Sequence, residues 1–105
     1  MSIPKPYTDM KERFPDLLGA YESLGDACKN AGPLDAKTVA MIKLAISMTA
    51  GLEGAAHSHT RKALEAGCTP EELEHIAILG TPTTGFPAMM RNRSWIRDVT
   101  DKQGG

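Results

Sequence analysis

The run Gly51 to Thr60, GLEGAAHSHT, gathers groups that can move a proton or hold a metal ion. His57 and His59 stand two residues apart, with Glu53 upstream and Arg61 just beyond. On a helix, residues two apart point about 200 degrees from one another, so the two imidazoles do not share one metal ion and the pair is not a zinc signature. No metal site is expected from it. Glu53 and His57, four apart, do share a face, as do His57 and Arg61, so an ion-paired surface row is the plain account of His57. His59 falls on another face, with Ala55, Ala56, Ala63 and nearby Ala66, small residues that let a second helix approach closely. It is expected to point inward and be partly buried, either as a hydrogen-bonded core imidazole or as a functional group.

Three other side chains have chemistry to weigh. Lys43 sits in the middle of the most apolar stretch, where an ammonium must snorkel, pair with an acid or face a polar cavity. His75, within EELEHIAI, reads as a solvated or interface residue. Cys68 precedes a helix start and would gain some thiolate character from the dipole, yet it has no nearby resolving cysteine and reads as a small capping-region residue.

The elements that position these groups are read from periodicity and punctuation. In DLLGAYESLGDACKN, Asp16 to Asn30, Leu17, Leu18, Tyr21, Leu24 and Cys28 recur every three or four residues, the mark of an amphipathic helix closed by Gly32 and Pro33. A second helix starts after Asp35, an N-cap, and runs to about Gly51 with apolar residues round most of its circumference. The third takes in Glu53 to Ala66 and stops at Gly67. Thr69-Pro70-Glu71-Glu72 is a capping box that opens a fourth helix, Pro70 to about Leu79. Gly80 to Pro87, GTPTTGFP, reads as a loop, and Ala88 to Val99 as the last helix, with Arg91, Arg93, Arg97 and Asp98 outside. The tail DKQGG is expected to fray. No period-two strand pattern appears, so the fold class is all-α, a compact domain of about five or six helices. One nearly all-round apolar helix is too much surface for a small chain to hide alone, and a homo-oligomer is expected.

Composition bounds the function from outside. At 105 residues the chain is read as one domain, with 24% charged and 41% hydrophobic residues, in the ordinary range for a globular protein. A net charge of -1 leaves no electrostatic footprint for nucleic acid. The two cysteines, Cys28 and Cys68, have neither a CxxC nor a zinc-type spacing, which fits a reduced, cytoplasmic protein; a redox role as a distant pair requires that they meet within disulfide reach. The first residues, MSIPKPYTDMKERFP, contain no apolar signal core, and Lys43, Ser47 and Thr49 interrupt the longest apolar stretch, so neither secretion nor a membrane partner is expected.

With these elements placed, LDAKTVAMIKLAISMTAGLEGAAHSHTRKALEAGCTPEELEHIAIL resembles the core of the carboxymuconolactone decarboxylase and alkyl hydroperoxidase D-like family, over roughly half the chain. The resemblance implies an all-helical fold assembled as trimers or hexamers. Peroxidase members of that family carry C-x-x-C-x-x-x-H at the start of the third helix and a glutamate on the second. Here the cysteine places fall on Leu52 and Ala55, the glutamate on Ala40, and the histidine on His59. Without a sulfur to attack peroxide and another to resolve the sulfenic acid, thiol peroxidase chemistry is excluded at this place. The decarboxylase branch lacks that cysteine pair and keeps the histidine. It implies cofactor-free isomerisation and decarboxylation of a lactone acid, with His59 moving the proton, Lys43 or Arg61 orienting a small carboxylate ligand, and Glu53 tuning an imidazole. The rival expectation is a fold that has lost catalysis and serves as a ligand-binding or assembly module.

Overall fold

The computed structural model describes residues 4–103, with only the backbone of Gln103, and the chain divides into two compact units, Met1–Leu34 and Asp35–Gly105. The first contains α1 (Lys5–Arg13) and α2 (Pro15–Lys29). Proline in the first turn suits the start of each, because that turn has no use for its missing N–H. Periodicity gave no sign of α1, since KPYTDMKER buries no residue. Its local supports are Lys11 and Arg13 at the negative end of the dipole and an Asp9–Arg13 pair at 3.8 Å. Tyr7 donates from its hydroxyl to Glu22 Oε2 at 2.8 Å, tying α1 to α2, and Lys11 approaches the same oxygen at 3.8 Å. The expected stripe on α2 is largely uncovered: Leu18 is buried, whereas Leu17, Tyr21, Leu24 and Cys28 are exposed.

The second unit holds α3 (Ala36–Thr49), α4 (Glu53–Glu65), α5 (Pro70–Leu79), α6 (Thr81–Thr84) and α7 (Phe86–Gln103). The Asp35 carboxylate accepts from Thr38 N–H at 2.8 Å, so the expected N-cap opens α3. Helices α3 and α4 end alike. Gly51 (φ 73°) and Gly67 (φ 100°) take the left-handed conformation. Each donates to the carbonyl three residues back, Met48 or Leu64, while the next residue, Leu52 or Cys68, donates to Ser47 or Ala63 five back. These are Schellman closures, and glycine supplies the backbone freedom they require. The capping box forms as expected: Thr69 Oγ1 accepts from Glu72 N–H at 3.1 Å, and Glu72 Oε1 accepts from Thr69 N–H at 2.8 Å.

Two boundaries differ from expectation. GTPTTGFP is not all loop: Thr81–Thr84 winds one turn, with Thr84 Oγ1 donating to Gly80 C=O, before Gly85 (φ 99°) redirects the chain. Proline sits in that turn's first residues, where it is compatible with a helix, so the Pro and Gly count overstated the break. Helix α7 is also longer at both ends than Ala88 to Val99, and Asp101–Gln103 are helical rather than frayed; Gly104 and Gly105 lie outside the described residues. An Arg97–Asp101 pair at 3.3 Å supports that last turn.

The core consists of Ala40, Leu44 and Met48 from α3, Ala56 and Ala63 from α4, Cys68 from the turn after it, Leu73 and Ala77 from α5, and Ile96 from α7. Alanines at 56 and 63 let α4 lie close to its neighbours, and its main packing partners are α3 and then α7. Leu44 and Leu73 are fully buried, each worth about 1.5–3 kcal/mol of transfer free energy. Arg91 was expected outside. It instead stacks its guanidinium on Trp95, 4.6 Å from the ring centroid, and donates from Nη2 to Met48 C=O at 2.8 Å. That contact fastens α7 to the carboxyl end of α3, where the dipole favours a cation. On α3, Ile42 and Ile46 remain exposed. No helix among the described residues is long and apolar enough to cross a membrane.

Candidate functional site

Helix α4 carries both histidines of GLEGAAHSHT, and their surroundings have opposite charge. His57 is flanked by acids. Its Nε2 lies 2.9 Å from Asp98 Oδ2 on α7 and 3.9 Å from Glu53 Oε2 one turn earlier on α4. Sequence spacing identifies the Glu53 partner; Asp98, forty-one residues away and the nearer of the two, carries no local signal.

His59 is half-buried and its pKa falls from the ordinary value to about 4. Burial is the main cause, because desolvation penalises the charged imidazolium; the positive charges of Lys62 and then Lys43 act in the same direction. At neutral pH the ring is therefore uncharged and has a lone pair available to accept a proton. Lys62 follows His59 by three residues on α4, and Lys43 comes from α3. Lys43 is partly buried, and among the described residues no carboxylate lies within ion-pair distance of it. Of the three outcomes open to an ammonium in an apolar helix, pairing with an acid is thus not the one adopted.

The four side chains expected to act together divide into two groups. Lys43 stands with His59, and Lys62, not singled out from sequence although the three-residue spacing shows it, completes that group. Glu53 stands with His57. Arg61 is partly buried on α4, two residues past His59 and so about 200 degrees round the helix from it. His75 is exposed, as expected. At the places where peroxidase members hold sulfur, Leu52 is exposed and Ala55 half-buried, and Ala40 is buried where they hold a glutamate.

Cys68 is buried beside the start of α5 and gains no thiolate character there. Burial pushes its thiol pKa up, and the nearby Glu72 carboxylate adds to the rise, outweighing Lys37. The helix-start position does not make it a thiolate. Cys28 is an exposed free thiol. Glu72 is held below the ordinary carboxylate range by the Thr69 N–H and by Lys37, whose Nζ lies 3.1 Å away.

The model of the carboxymuconolactone decarboxylase family matches residues 15–98. The chain belongs to that family. An uncharacterized protein of Haemophilus influenzae is 33% identical over 61 residues, which are 58% of this chain and 54% of the relative. The chain thus spans about half the length of the curated relative it matches. No solved structure matches. Membership of the carboxymuconolactone decarboxylase family agrees with the all-helical architecture and with the resemblance carried by the α3–α5 segment.

Proposed function

We propose that this protein performs acid–base chemistry on a small carboxylated metabolite, as a cofactor-free lyase of the carboxymuconolactone decarboxylase type, with His59 as the proton-transfer group. The observation that supports this reading best is the half-buried, neutral imidazole of His59, its pKa lowered by burial and by the positive charges of Lys62 on α4 and Lys43 on α3. Lys43 and Lys62 supply charge for substrate carboxylates. A bound carboxylate offsets the two positive charges and so raises the affinity of His59 for a proton when the substrate is in place. Loss of carbon dioxide leaves an electron pair that a protonated His59 can quench, and the neutral ring can take a proton in the isomerisation. Glu53 and Arg61 receive no substrate contact in this scheme, because Glu53 is engaged with His57 and Arg61 projects away from His59. A cytoplasmic setting belongs to the same proposal and is supported by the two free thiols.

Self-association as a trimer or hexamer is a further part of the reading. It is supported by Ile42 and Ile46, large apolar side chains left exposed on α3, and sedimentation analysis tests it. The activity test is turnover of 4-carboxymuconolactone, followed by ultraviolet absorbance and carbon dioxide release. Wild-type turnover is expected to fall by about 10²–10⁴-fold in His59→Gln, the range for removal of a general acid–base group. Turnover unchanged by that substitution removes His59 from the reaction, and no turnover in either protein favours a non-catalytic ligand-binding module.

A further inference from the structure

The cluster Glu53, His57 and Asp98 does no work in the reaction proposed for His59, and its donor set is that of a metal centre. We infer that Glu53, His57 and Asp98 form a binding site for a divalent transition-metal cation of the zinc type, bridging α4 and α7. One donor atom from each side chain lies within 4.8 Å of the other two. Two ligand atoms bound to a zinc ion at about 2.1 Å, at tetrahedral or octahedral angles, stand roughly 3.0–3.4 Å apart. The His57–Asp98 separation of 2.9 Å is already there, and the His57–Glu53 separation of 3.9 Å requires a small side-chain adjustment. Glu53 and His57 are one helical turn apart, so the backbone of α4 places both ligands, while α7 delivers the third.

The imidazole, rather than the lack of a basic partner, marks this cluster. Among the described residues, Asp9, Glu22, Glu72, Glu74 and Asp101 each have a lysine or arginine partner, whereas other exposed acids such as Glu12, Asp16 and Asp26 have none. Glu53 and Asp98 have none, and the only group that faces both is an imidazole. Two carboxylates about one imidazole, with no lysine or arginine beside them, present one nitrogen and two oxygen donors to a divalent cation. One nitrogen and two carboxylate oxygens suit zinc, nickel, cobalt or manganese better than calcium or magnesium, which favour oxygen-only sets. Glu53 and Asp98 are exposed and His57 is partly buried, so an ion entering from solvent keeps coordination positions for water or for an anionic ligand. His57 points away from the His59 face, so the metal site stands whether or not His59 is catalytic.

The full chain, freed of metal with a chelator, is dialysed against micromolar zinc chloride, and its melting temperature is recorded with and without the ion. We expect about one zinc per chain and a rise in melting temperature, because an ion that holds α4 to α7 binds the folded state alone. His57→Gln and Asp98→Asn are each expected to weaken retention at least tenfold and abolish the rise, Glu53→Gln to weaken it less, and His59→Gln and His75→Gln to retain zinc as the wild type does. Asp98→Asn is the decisive variant, being nearly isosteric at an exposed position; circular dichroism establishes that each protein is folded. Failure of the wild type to retain zinc, or equal retention in folded His57→Gln and Asp98→Asn, overturns the site and leaves an ion pair only.

Discussion

His57 and His59 are two residues apart on one helix, yet one ring faces two carboxylates and the other is buried in the positive field of two lysines. The difference lies in the neighbours each face of α4 meets. The His57 face adds a carboxylate from α7, and the His59 face adds a lysine from α3. The two proposals rest on this contrast, the acid-flanked ring offered to cations and the neutral ring to proton transfer on anions. An HxH dipeptide read as one motif conceals this, because a helix sends its members to opposite sides.

Exchanging which histidine is removed should break the comparison most sharply. His59→Gln is expected to cut turnover of a carboxylated lactone by about 10²–10⁴-fold while zinc retention stays intact, and His57→Gln to weaken zinc retention while turnover stays intact. A variant that loses both properties while folded would falsify the separation of the two faces. Lysine substitutions sharpen the same point: Lys43→Met should raise KM more than it lowers kcat if the ammonium holds a carboxylate equally in ground and transition states.

The next effect is on pH dependence. With a folded value of about 4 against an ordinary 6.5, His59 stays neutral in the folded chain where the unfolded chain takes up a proton. Its contribution is fully present above pH 6.5, is lost as pH falls through the window toward 4, and changes no further below it. Urea titrations at several pH values are expected to show stability declining across that window in the wild type and a shallower slope in His59→Gln. Histidine NMR should show the His59 pKa rising in Lys62→Met and in Lys43→Met, with a depression left over, since burial is the larger cause. A return to the ordinary value on removing one lysine alone would show that charge, not desolvation, governs this ring.

The frame that holds the two faces was legible to different depths. Asp35, Gly67 and the Thr69–Glu72 box marked their helix ends through local chemistry, and α3, α4 and α5 fall where the pattern put them. Helix α1 escaped because it buries nothing and so leaves no periodic trace. The turn at Thr81–Thr84 escaped because proline and glycine counts do not distinguish a break from the first residues of a new turn. Among site residues, spacing gave the Glu53–His57 pairing and the inward position of His59. It could not give Asp98 beside His57, Lys43 beside His59 or Arg91 on Met48 C=O, since each depends on how two distant helices pack.

That packing gives a smaller test that acts on both faces at once. Ala56 is fully buried where α4 lies against its neighbours, so Ala56→Leu adds volume with nowhere to go. Overpacking of this kind costs about 1–3 kcal/mol. It should also displace α4, weakening the His57–Asp98 contact and opening the surroundings of His59, whose pKa should then rise. Thr69→Ala offers the control with the smallest effect. It removes the hydroxyl that accepts from Glu72 N–H but leaves the packing of α4 untouched. A loss of about 1 kcal/mol is expected in urea denaturation. The NMR titration of His59 should stay where it is in the wild type, because the lost hydrogen bond lies at the start of α5. A shift of His59 in Thr69→Ala would mean that its face of α4 is set by the stability of the whole helical frame rather than by burial and the charges near the ring.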